Sequence, residues 1–124
     1  MDEFRALTSA VIGAGVRIHQ KLGPGLLESV YEVILARDLV RLGYRVERQK
    51  PVNFEFEGTL FEAAFRPDLI VNHAVIVEVK AAVALHPVFE RQLLTYLKIL
   101  DLRLGLLMNF GMPTMKQGIH RVAN

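Results

Sequence analysis

The chain has 124 residues, 52% of them apolar, which is enough for one compact core, and its formal charge of +2 permits a nucleic-acid partner without requiring one. It contains no cysteine, which excludes disulfides, thiolate zinc sites, iron–sulfur clusters and cysteine nucleophiles together, so any metal must be held by oxygen or imidazole. Its apolar runs, such as 74–77 and 104–108, fall far short of the ~20 residues needed to span a bilayer.

The opening Met1-Asp2-Glu3-Phe4-Arg5 is acidic and leads into a helical pattern, so the reading is a single domain over 1–124 with no signal peptide, no membrane partner and a cytoplasmic location by default. Phe4, Leu7, Val11, Ala14 and Ile18 recur at steps of three and four, the buried stripe of an amphipathic helix that should stop near Leu22, before Gly23-Pro24-Gly25. Leu27, Val30, Tyr31, Ile34, Leu35 and Leu39 mark a second helix, which Gly43 can terminate.

The period then changes. Tyr44, Val46, Val52, Phe54, Phe56, Leu60 and Phe61 alternate with polar residues, as in strands with one wet face, and Glu57-Gly58 reads as a hairpin turn. Leu69-Ile70-Val71 and Val75-Ile76-Val77 flank Asn72-His73 and are apolar on both faces, which predicts two central strands. A third helix is predicted from about Pro87 to Leu100, with Phe89, Leu93, Tyr96, Leu97 and Leu100 inward. Leu104 to Phe110 reads as another buried strand and Ile119 to Val122 as a short edge strand. This order gives an α/β layout, a sheet covered by helices, and the run of strands between the helices argues against a doubly wound fold.

Charge inside a buried strand requires a reason, because an unpaired buried ion costs several kcal/mol or neutralises. In Val75-Ile76-Val77-Glu78-Val79-Lys80, the two-residue period sends Glu78 and Lys80 to one face. Asp68, just after Pro67, begins the preceding strand. If Val71 pairs with Val75 across a three-residue loop, Asp68 falls opposite Glu78 on the same face; a two-residue loop would separate them. Two such carboxylates suit a hard divalent cation, and a lysine beside them can orient a water or neutralise charge on a phosphate. The same residues can equally form an exposed Glu–Lys pair at a strand end, with Asp68 only a turn residue.

A wider set of residues separates these readings. Gly25-Leu26-Leu27-Glu28-Ser29-Val30-Tyr31 spells G-x-x-E-x-x-Y and precedes Asp68, Glu78-Val79-Lys80 and Gln92-Leu93-Leu94-Thr95-Tyr96. From roughly Ile12 to Val122 the chain resembles the GxxExxY protein family, a branch of the PD-(D/E)XK nuclease-like superfamily. The resemblance implies a restriction-endonuclease-like core, a central mixed β-sheet flanked by helices. It also implies a site in which Glu28, Asp68 and Glu78 hold Mg²⁺ or Mn²⁺, with Lys80 and Gln92 positioning the water and the scissile phosphate. Gln92 and Tyr96 match a Q-x-x-x-Y element and share one helical face; with Arg66 they are the expected substrate contacts. The implied activity is hydrolysis of phosphodiester bonds by a metal-activated water, in DNA ahead of RNA, in a protein that is a possible homodimer. The alternative is a catalytically silent nucleic-acid- or protein-binding module that keeps the nuclease fold.

Other residues read as structural. Tyr31 and Tyr96 are expected to pack with bonded hydroxyls. His19, His73, His86 and His120 are expected as surface, turn or hydrogen-bonded residues, and Asn109 as a turn cap. Arg45, Arg48 and Lys50, with Arg66, form either a phosphate-binding surface or a solvated strand face.

Overall fold

A computed structural model describes residues 2–124. Helix α1 (Glu3–Leu22) starts at Asp2, whose carboxylate accepts the Arg5 N–H, and ends at Gly23, where φ reaches +68°. After the Gly-Pro-Gly corner comes α2 (Glu28–Arg41). The strands that follow are β1 (Val46–Arg48), β2 (Val52–Phe56), β3 (Thr59–Phe65), β4 (Leu69–Val71) and β5 (Val75–Lys80). Helix α3 (Val88–Leu100), β6 (Leu104–Asn109), α4 (Met115–Gly118) and β7 (Ile119–Ala123) complete the chain. The helix and strand limits follow the sequence reading closely, with α4 as an additional short turn of helix.

Five strands form one sheet in the order β1-β4-β5-β6-β7. Only β5 and β6 run parallel, and α3 makes the crossover such a pair demands. The sheet is therefore mixed and covered on both sides. Against one face lie α1 and α2, where Leu7, Val11, Ile18, Tyr31, Leu35 and Leu39 meet Val75, Val77, Val79 and Leu106. Against the other lies α3, where Leu93 and Leu97 meet Ile70, Ile76, Leu107 and Val122. The alternation along β5 thus sends its odd-numbered residues to α1 and α2 and its even-numbered residues, Glu78 and Lys80 among them, to the α3 side. Among the described residues no helix is long and apolar enough to cross a membrane.

The strands read as one half-wet run divide differently. Only β1 joins the sheet, as an edge strand; β2 and β3 pair with each other as a separate hairpin around Glu57-Gly58. Every residue of β3 except Phe65 is exposed, so the hairpin has no dry face along most of its length. The alternation is strand-like, and while Phe65 at the base of the hairpin meets Tyr96 of α3, Phe56, Leu60 and Phe61 farther out stay exposed.

Candidate metal and catalytic site

The hairpin between β4 and β5 sets the site. Val71 pairs with Val75, Ile70 with Ile76 and Leu69 with Val77, a three-residue-loop register that carries Asp68 opposite Glu78. The two acids interlock: the Asp68 N–H donates to Glu78 Oε2 at 2.9 Å, and the Val79 N–H donates to Asp68 Oδ2 at 2.8 Å. Glu78 is only 6% exposed. Burial first, and then the Asp68 charge, push its carboxyl up to about 8, with the backbone N–H of Asp68 and the Lys80 charge pulling the other way. Near neutral pH the Glu78 carboxyl therefore favours its protonated form.

A second buried carboxylate stands beside them. Glu32 on α2 is 4% exposed and accepts from Arg48 Nε at 2.6 Å and from Gln49 Nε2 at 2.9 Å. The same Gln49 amide donates to Asp68 Oδ1 at 3.0 Å, and the Gln49 N–H donates to the Asp68 carbonyl. Gln49 reaches both because it leaves the edge strand β1 at φ +55°, turning its side chain across the gap between α2 and β4. Burial and then the Asp68 charge raise the Glu32 carboxyl, while the bonds from Gln49 and Arg48 lower it. Neither Glu32 nor Gln49 is among the residues picked out from the sequence. Glu32 left one readable signal, a carboxylate between Tyr31 and Leu35 on the buried side of α2.

Glu28 lies one turn before Glu32 on the same helical side, but it stands exposed at the first turn of α2, with no hydrogen bond or ion pair among the described residues. The structure does not bring it to the Asp68–Glu78 pair. Among the described residues no three His, Asp or Glu groups converge as a ready-made metal cage. The pair alone still fits a hard cation. Each carboxylate offers about four lone-pair positions, only some of which are taken by N–H groups, and Mg²⁺ is commonly held by one or two carboxylates with waters filling the remainder.

From the other side, α3 supplies Phe89, Gln92 and Tyr96. Lys80 Nζ sits 4.3 Å from the centre of the Phe89 ring, a cation–π contact that holds the ammonium on the Glu78 face without an ion pair. Tyr96 stacks on Phe65 with ring centres 4.2 Å apart, and its phenol is raised by burial and then by the charges of Glu78 and Asp68. Gln92 is exposed one turn earlier, and Arg66 is exposed just before Pro67-Asp68.

Behind the site, Asn109 clasps the segment after Lys80. Its Oδ1 accepts from the N–H groups of Ala82 and Gly111, and its Nδ2 donates to the Ala82 carbonyl. Tyr31 donates its hydroxyl to the Gly23 carbonyl, accepts from the Leu26 N–H and stacks on Phe110, so it pins the Gly-Pro-Gly corner as a packing residue. The four histidines are engaged elsewhere. His19 bonds the Met112 carbonyl, His86 accepts the Val88 N–H at the start of α3, His73 meets Glu47, and His120 meets Glu90. Of the basic cluster, Arg48 is spent on Glu32 and Lys50 on Glu47.

A family model described as the PD-(D/E)XK nuclease superfamily matches residues 5–122. No curated protein and no solved structure matches the chain.

Proposed function

The chain belongs to the PD-(D/E)XK nuclease superfamily, and on that premise we propose that it is a Mg²⁺- or Mn²⁺-dependent phosphodiester hydrolase of the GxxExxY branch, with DNA its substrate ahead of RNA. The observation that carries this reading is the interlocked Asp68–Glu78 pair, Glu78 buried and Asp68 half-buried, with Lys80 on the same face. A carboxylate buried against a second one is costly to keep for stability alone, and a divalent cation relieves the repulsion. When bound, that cation supplies Lewis acidity toward a phosphate oxygen and a water.

The chain's own groups divide the remaining work. Asp68 and Glu78 bind, and Gln49 fixes the direction of the Asp68 carboxylate from behind. Lys80, held by the Phe89 ring, offers its ammonium N–H groups to the attacking water or to charge gathering on the phosphate. Gln92, Tyr96 and Arg66 line the approach, with Gln92 and Arg66 free to donate to phosphate oxygens. Glu28, the third carboxylate of this reading, stands exposed at the first turn of α2, one turn before Glu32.

One observation favours the silent-module alternative: the carboxylate nearest Asp68 from α2 is Glu32, and Arg48 and Gln49 already satisfy it. Two measurements on Lys80→Ala, Asp68→Ala and Glu78→Ala distinguish the readings. Calorimetric titration with Mn²⁺ should show binding by wild type and Lys80→Ala and none by the two acid variants. Cleavage of plasmid and single-stranded DNA should fall by roughly 100-fold or more in Lys80→Ala. Cleavage by folded Lys80→Ala at the wild-type rate overturns the catalytic assignment, and absence of Mn²⁺ binding by wild type favours the silent module.

A further inference from the structure

The side-chain amide of Gln49 has two N–H groups and gives both to carboxylates, one to Glu32 Oε1 at 2.9 Å and one to Asp68 Oδ1 at 3.0 Å. No donor is left over on that nitrogen, so the acid of α2 and the acid just before β4 are joined through a single atom. The other Glu32 oxygen accepts from Arg48 Nε at 2.6 Å. A line of polar groups thus runs from the half-exposed Arg48 guanidinium through Glu32 and Gln49 to Asp68.

Stability alone gives a weak reason for this line. Glu32 lies on the buried side of α2, where an apolar side chain would cover the core without desolvating a charge, and a buried ion pair recovers little beyond its own desolvation. What the acid does supply is direction. Asp68 takes one N–H on each oxygen, from Gln49 on Oδ1 and from Val79 on Oδ2, and the two together settle the plane of its carboxylate. Val79 donates from the backbone of β5, which its neighbour β6 holds in place. The Gln49 amide, by contrast, stands at the end of a flexible side chain that leaves β1 at φ +55°. Glu32 ties down that loose end. Without it the amide keeps one bond to Asp68 and regains rotation about its outer torsions.

We infer, from the reading of Asp68 as a cation ligand, that Glu32 is a positioning residue of the same site: fixed by Arg48, it holds the Gln49 amide so that Asp68 meets the cation in one orientation. The acid of α2 then has a task that needs no contact with the metal, and its full satisfaction by Arg48 and Gln49 is what that task requires.

A double-mutant cycle over Glu32 and Gln49 tests the relay, read by Mn²⁺ calorimetry and, without metal, by NMR. In metal-free wild type the Gln49 side-chain N–H protons should exchange with water at least about tenfold more slowly than those of the exposed Gln20, and Glu32→Ala should remove most of that difference. Glu32→Ala and Gln49→Gly should each weaken Mn²⁺ binding by roughly 10- to 100-fold, and the double variant should lose no more than the larger single loss. Asp38→Ala, which breaks the Arg17 and Arg41 ion pairs of the same helix but no bond of the relay, should bind Mn²⁺ as wild type does. Losses that multiply in the double variant, or a Glu32→Ala affinity equal to that of wild type, overturn the inference. So do Gln49 side-chain protons that exchange in wild type as fast as those of Gln20, a result that stands even if Glu32→Ala fails to fold. Wild type that binds no Mn²⁺ while its Gln49 protons stay protected overturns the metal reading and not the relay.

Discussion

Replacing Glu78 with glutamine should stabilise the metal-free protein in alkaline solution while removing the proposed divalent-cation site. In the folded chain, burial and Asp68 raise the Glu78 carboxyl from 4.5 to about 8, whereas an unfolded chain leaves it near its ordinary value. Because the folded value is the higher one, the native state holds the extra proton. Its contribution to stability is complete below about 4.5 and is lost as pH rises through the window up to about 8. A rise of about 3.5 pH units at 1.36 kcal/mol per unit puts the loss at roughly 5 kcal/mol. That is comparable with the entire stability of a marginal domain. Glutamine at this position keeps an acceptor for the Asp68 N–H and can donate an N–H to the Asp68 carboxylate, with no proton to lose.

Urea denaturation of both proteins at about pH 5 and about pH 9, without divalent cations, reads the effect directly. The two should agree in acid, and the variant should be more stable by several kcal/mol in base. Adding Mn²⁺ should then stabilise wild type alone. If the wild-type midpoint follows that of the variant across the whole range, Glu78 ionises freely and the argument from burial fails.

Two further outcomes follow from the support around the site. Gln49→Gly, which tolerates the +55° φ while removing the amide that orients Asp68, should weaken Mn²⁺ binding by roughly 10- to 100-fold with the fold retained; unchanged affinity in a calorimetric titration would count against a positioning role. Gly111→Ala would press a Cβ into the Ala82 backbone and loosen the Asn109 clasp, lowering stability by about 1–3 kcal/mol. Gly13→Ala, on an open face of α1, should instead raise it by about 0.5–1 kcal/mol. Thermal melts that rank the two glycine variants the other way would refute this reading of their surroundings.

Much of the site was legible because its central geometry is local. Asp68 and Glu78 lie ten residues apart on one hairpin, and the two-residue period of strands was enough to relate their faces once a loop length was chosen. The helices declared themselves through apolar spacing and the Gly23-Pro24-Gly25 corner. What escaped the sequence depends on contacts between elements. Gln49 matters because α2 happens to pack beside β1, and no local pattern records that neighbour. Glu32 looked like one more helical glutamate until burial showed it facing inward. The independence of the β2–β3 hairpin was equally hidden, since alternation specifies a strand but not whether anything covers it.

The β4–β5 loop has a consequence for the persistence of such a site through evolution. Leu69, Ile70 and Val71 and all of Val75 to Val79 are buried, so the apolar character of both faces barely distinguishes one register from the next. What fixes the alignment is the loop, with Asn72 and His73 both in left-handed conformations, together with the backbone bonds that Asp68 and Glu78 accept. Deleting one loop codon would leave every acid in the gene and nearly all of the core's burial intact, yet place Asp68 on the opposite face from Glu78. A lineage can therefore lose its chemistry through spacing while its inventory of acidic residues still reads as complete.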